Sequence, residues 1–185
     1  DNGEMEVWTF TNGFSEAPVV TESMHEGYIN KHILNNRNID KWGGTSYAPV
    51  MRDIIQQSFT EEVKVVATSE EKPGFFGKLF GAKPKITETE HFSLENRDPK
   101  FPIFVPFVTD GDNSDHAETE RVIKECASKN IYWLMVGIGS ERFKWLKEIA
   151  DKYPNVGFVK IDQLEKISDE DFYLQLLNEE FCNWV

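Results

Sequence analysis

Two periodicities alternate through the second half of this chain with little between them, and few architectures accept that pattern. Residues 103–109 (IFVPFVT), 131–139 (IYWLMVGIG) and 155–161 (NVGFVKI) are short apolar runs. Between them, 115–128 (DHAETERVIKECAS) and 140–153 (SERFKWLKEIADKY) carry apolar residues at helical spacing. A run as unbroken as 131–139 marks a strand buried on both faces. Strand and helix in alternation, joined by short connections, predict a parallel sheet with helices on both sides. The expected class is therefore α/β, a doubly wound, mostly parallel sheet. Ligands on such sheets bind beyond the carboxyl ends of strands, where loops lead into helices.

Local signals add detail. Asp115 and Glu118 form an acidic variant of the capping box for the helix over 115–128, and Glu120 and Lys124 pair at i,i+4. Ser140 is the expected cap of the next helix, with Phe143, Leu146, Ile149 and Tyr153 as its core stripe. Ser168 is expected to cap one last helix carrying Phe172, Leu176, Phe181 and Trp184. In the first half, EMEVWTF (4–10) alternates like a half-buried strand. TESMHEGYINKHIL (21–34) has Thr21 as a plausible N-cap and Met24, Tyr28 and Ile33 on one helical stripe. A glycine-rich turn, WGGTSYAP (42–49), leads into the helical VMRDIIQQSF (50–59), with Pro49 suited to its first turn.

Residues 61–100 break the alternation. They hold two strand-like runs around a tip, KPGFFGKLFGAKPK (72–85), and are expected to form an inserted hairpin or loop excursion from a single domain spanning 1–185. At the tip, Phe75, Phe76, Leu79 and Phe80 beside four lysines would touch a partner or a membrane surface; the alternatives are that they fold back onto the domain or belong to a disordered loop.

Charge excludes one class of function. A net charge of −12 repels phosphate backbones, so nucleic-acid binding is not expected, whereas a divalent cation would be tolerated. Cys126 and Cys182 lack any metal-type spacing and are expected as reduced, mostly buried thiols, which points to the cytoplasm. No apolar stretch has the length of a membrane span, and the chain opens without a signal-peptide pattern. The five tryptophans, Trp8, Trp42, Trp133, Trp145 and Trp184, are expected to pack in the core or between helices, Trp42 also flanking a partner groove.

The chemistry concentrates in FVTDGDNSD (107–115), where an oily run ends on Asp110, Asp112 and Asp115. A calcium EF-hand is excluded, since Asp115 stands at the sharp-turn glycine and Arg121 at the bidentate glutamate. VGIGS (136–140) is not a dinucleotide loop, because Arg142 replaces the third glycine. The run also resembles the D-x-D start of haloacid-dehalogenase phosphatases, with Asp110 as nucleophile and Asp112 as general acid. In those enzymes the motif opens the domain, and here a strand and two helices are expected before it.

A second loop favours another family. GGTSYAP and FVTDGDNSD together resemble two of the three motifs of the metal-ion-dependent adhesion site (MIDAS) of von Willebrand factor A (vWA) domains. VWTFTNGF, WGGTSYAPVMRDI, VGIGSERFKWLKEI and ISDEDFYLQLLNEEF extend the likeness to the TerF-type vWA domain of bacterial tellurium-resistance and stress proteins. That resemblance implies a cytoplasmic, non-enzymatic module that binds a partner protein's carboxylate, or another oxyanion, through magnesium, manganese or calcium. It implies Thr45 and Asp110 as metal ligands, with Gly43, Gly44, Ser46, Gly111 and Asp112 near the site. Hard divalent cations take such oxygen donors and keep several waters. The first motif, D-x-S-x-S, is absent. By the resemblance this leaves the first strand and helix unrepresented, and metal binding by this chain alone weak. A structural assembly domain without metal is the third expectation.

Overall fold

The computed structural model describes residues 3–71 and 85–185, apart from the side chains of 67–71, 85–88, 90 and 91. Two compact units are distinguished, one of Asp1–Gln56 with Pro99–Val185 and one of Gln57–Asp98.

In the first unit the alternation of the second half becomes a three-stranded parallel sheet. Strands β5 (Ile103–Thr109), β6 (Ile131–Ile138) and β7 (Val156–Ile161) lie in the order β5-β6-β7. Register runs Ile103↔Ile131 to Thr109↔Gly137 on one side of β6 and Trp133↔Val156 to Ile138↔Ile161 on the other. Every residue of β6 from Ile131 to Gly137 is buried, as its unbroken apolar run requires. Its even positions, Tyr132, Leu134 and Val136, pack with Leu176, Phe172, Phe181 and Trp184. These come from helices α4 (Asp169–Leu176) and α5 (Glu179–Trp184). Its odd positions face the other layer. The Trp133 indole N–H donates to Cys126 Sγ at 3.4 Å, just past helix α2 (His116–Glu125). A Cβ on Gly137 would stand 2.7 Å from the Phe143 ring, so only glycine lets that ring lie against the strand. The sheet is thus covered by helices on both faces, as the alternation predicts.

The same contact explains where the next helix starts. Phe143 has φ 45°, left-handed backbone that costs a bulky residue about 1 kcal/mol or more. Its ring is buried, and helix α3 begins only after it (Lys144–Lys152). Ser140 therefore lies too early to cap, and no side chain caps α3. At the C-terminal end Ser168 does cap, accepting from the Asp171 amide at 3.1 Å. The single last helix expected there is two, because Asn178 accepts from the Phe181 amide and starts α5 anew.

The first third differs more from expectation. β1 (Glu4–Phe10) pairs antiparallel with β2 (Phe14–Thr21), closing through Phe10↔Phe14. Thr21 thus ends a strand instead of capping a helix. Of the helix expected over 21–34 only a π-helical turn, Ile29–Leu34, exists, and Gly27 at φ 68° precedes it. The buried Tyr28 explains the choice: its hydroxyl donates to the Pro18 carbonyl of β2. Helix α1 (Ala48–Phe59) follows, and the Trp8 indole donates to its Asp53 at 2.8 Å. Arg52 of α1 reaches Glu118 (2.6 Å) and Glu125 (3.3 Å) of α2.

In the second unit β3 (Thr60–Glu71) and β4 (Lys85–Asn96) form an antiparallel ribbon, in register from Thr60↔Asn96 to Glu71↔Lys85. Phe75, Phe76, Leu79 and Phe80, expected to contact a partner, lie outside the described residues. Among those described, no helix is long and apolar enough to cross a membrane.

Candidate functional site

The chain between β5 and α2 (residues 110–115) meets the loop before α1 (residues 42–47). The Ser114 amide donates to the Thr45 carbonyl at 2.8 Å, and the Ser114 hydroxyl to the same oxygen at 3.0 Å. Ser46 Oγ lies 3.3 Å from Ser114 Oγ. The Ser46 amide in turn donates to the Thr11 carbonyl, so the β1–β2 turn joins the same knot. Gly44 lies against the Asn12 side chain of that turn: a Cβ would stand 2.3 Å from Asn12 Oδ1, so the amide would have to swing aside.

Asp115 does a different job from the one its position suggests. It occupies the N-cap backbone position of α2 but makes no cap bond to that helix's amides. Its carboxylate instead accepts from the amides of Tyr47 (3.0 Å) and Ala48 (2.9 Å), which open α1. Asn113 Nδ2 donates to it at 2.7 Å. Burial alone would raise this carboxyl's pKa, but the bonds from Asn113, Tyr47 and Ala48 outweigh that and hold it below its ordinary value. The capping-box partner is likewise diverted, Glu118 pairing with Arg52 and Arg121. Glu120 turns from Lys124 to Lys152 and Tyr153.

Tyr47 is the centre of the knot. It is fully buried, and its hydroxyl lies 2.8 Å from both Thr109 Oγ1 and the Gly111 carbonyl, its one proton shared between them. Those residues flank Asp110, so the buried phenol fixes the backbone on both sides of that carboxylate. Desolvation pushes the Tyr47 hydroxyl up to about 12, with the negative charges of Asp112, Asp110 and Asp115 adding to it. The phenol therefore stays protonated and keeps donating at any physiological pH.

Each residue expected at the site can now be placed. Asp110 is exposed, and no hydrogen bond or ion pair engages its carboxylate among the described residues. Thr45 is half-buried and tied by its carbonyl. Gly43 and Gly44 are exposed and Gly111 half-buried. Asp112 accepts from the Asn113 amide at 3.0 Å and lies 2.6 Å from His116 Nε2. The His116 ring stacks flat on Trp145, centroids 4.2 Å apart. Trp42 is 86% exposed and so does not pack in the core. Cys126 is buried as expected, whereas Cys182 is exposed.

Among the described residues, no three of His, Cys, Asp and Glu group closely enough to hold a metal ion. The donors the two loops offer are hydroxyls and a carboxylate: Thr45, Ser46, Ser114 and Asp110. That oxygen-only set suits magnesium bound through few protein ligands and several waters, and suits zinc poorly. The roles of Tyr47, Asn113 and Ser114, and the outward reach of Asp115, escape sequence reasoning. The one available signal was an aromatic directly after G-G-T-S, a polar turn with no other reason to bury a ring.

Known proteins bear on this arrangement. A family model described as the vWA-TerF-like domain, the vWA found in the TerF C terminus, matches residues 77–185. The uncharacterized protein YcbR of Bacillus subtilis (strain 168) is 27% identical over 189 residues, across 100% of this chain and 62% of the relative. The chain thus spans less than two thirds of that curated relative. No solved structure matches it.

Proposed function

Because this chain belongs to the TerF-like vWA family, we propose that it is a metal-dependent interaction module without catalytic activity. The observation that supports this best is the exposed Asp110 carboxylate, unengaged among the described residues and held between two residues that the buried Tyr47 hydroxyl bonds. Thr45 and Asp110 would hold a divalent ion, with Ser46 and Ser114 as further oxygen donors. The ion would supply an open coordination position for a carboxylate or other oxyanion of a partner protein. Tyr47 and Asp115 keep the two loops at fixed separation, so little ordering is needed when the ion arrives. The family's link to tellurium resistance and stress response makes a partner from that system the first to try, in the cytoplasm.

Calorimetry with magnesium and manganese on the full-length protein tests this reading. A binding heat is expected that Thr45→Ala and Asp110→Ala each abolish. No heat, or a heat that neither variant changes, overturns it. Magnesium-dependent hydrolysis of a phosphate ester that Asp110→Asn abolishes would instead make Asp110 a nucleophile and overturn the non-catalytic reading.

A further inference from the structure

Helix α4 is apolar on two sides. Phe172 and Leu176 face the sheet cluster. Tyr173, Leu174 and Leu177 are 62, 66 and 52% exposed. Together with Glu170 they sit at i, i+3, i+4 and i+7, one stripe on the outer surface. Single exposed leucines are ordinary, but an adjoining set on one stripe is what a helix shows when a second layer covers it.

The charge around that stripe narrows what can cover it. Residues 167–185 contain Asp169, Glu170, Asp171, Glu179 and Glu180 and no lysine, arginine or histidine. All five carboxylates are exposed. A second copy of this face would bring ten carboxylates together, and an anionic lipid surface would be repelled as well. An apolar stripe on so acidic a segment is complementary to a segment whose apolar anchors alternate with lysine or arginine.

We propose that the outer face of α4 with its C-cap residue (Tyr173, Leu174 and Leu177) is a docking surface for a basic amphipathic segment of a partner protein. The apolar stripe supplies the buried contact, and the carboxylates around it set partner choice and speed of encounter. This site is independent of the metal reading, and either can fail alone.

The test uses the whole chain and a labelled Leu/Lys peptide of about four helical turns, read by fluorescence anisotropy. Its Leu/Glu counterpart serves as control. The Leu/Lys peptide is expected to bind saturably, and raising salt from about 50 to about 500 mM to weaken it. Tyr173→Ser, Leu174→Ser and Leu177→Ser combined should weaken binding about tenfold or more at unchanged charge, with circular dichroism unaltered. Asp169→Asn with Glu170→Gln should weaken it too, and remove part of the salt dependence. Equal binding by the Leu/Glu peptide or by the triple-serine variant overturns the proposal. So does dimerisation in sedimentation that the triple-serine variant loses, or binding to phosphatidylserine vesicles that it loses, since a second copy or a lipid surface would then be the occupant.

Discussion

The parallel sheet and the β3–β4 ribbon place their apolar strand residues in opposite surroundings. In β6 the valine, leucine, methionine and tryptophan side chains are all buried. In the ribbon Val66, Phe92 and Leu94 are 50, 67 and 58% exposed. The sheet gains from helices on both faces. The ribbon runs in register along two twelve-residue strands, and these exposed apolar side chains gain little from burial. A strand-like sequence thus says how the backbone pairs, while the elements around it decide what its apolar side chains contribute.

Substitutions at three positions would break or sharpen that contrast. The largest effect belongs to Trp133→Ala, at the fully buried centre of β6. A loss of about 3–5 kcal/mol is expected in denaturant unfolding, and a loss below about 1 kcal/mol would show that β6 is not the core. Asp115→Ala comes next, at about 2 kcal/mol, since it leaves the first amides of α1 without their acceptor. Because the folded carboxyl titrates below its ordinary value of 3.8, its stabilisation is full above that value and fades as pH falls through the lower folded one. The gap between wild type and Asp115→Asn should therefore close in acid, and a gap that widens there contradicts the assignment. The smallest effect is expected from Phe92→Thr in the ribbon, within about 0.5 kcal/mol. A larger loss would mean that the Phe92 ring contributes to folding as β6 side chains do.

Legibility in the sequence followed the same divide. The sheet and its helices were readable because burial on two faces writes itself as unbroken apolar runs and helical stripes. The β1–β2 hairpin was not, although Asn12–Gly13 is a strong turn signal. Pro18 interrupts the second strand, and the spacing of Met24, Tyr28 and Ile33 mimics a helix that Gly27 and the Tyr28–Pro18 bond prevent. At the site, Thr45 and Asp110 stood out because their loops carry short motifs. Asp115 reads in sequence as the cap of α2, since a cap is read from neighbours, whereas the amides it holds lie 67 and 68 positions away. Local pattern cannot register a bond of that span.

That span has a consequence for how the chain tolerates change. The Asp115 bond to Tyr47 closes a loop of about 68 residues, and within it lies all of Gln57–Asp98. Closure entropy grows only with the logarithm of loop length, so doubling this one costs about 0.6 kcal/mol. Insertions and deletions in the ribbon should therefore be nearly free for the site, while one residue added between Gly43 and Tyr47 would shift every bond of the knot.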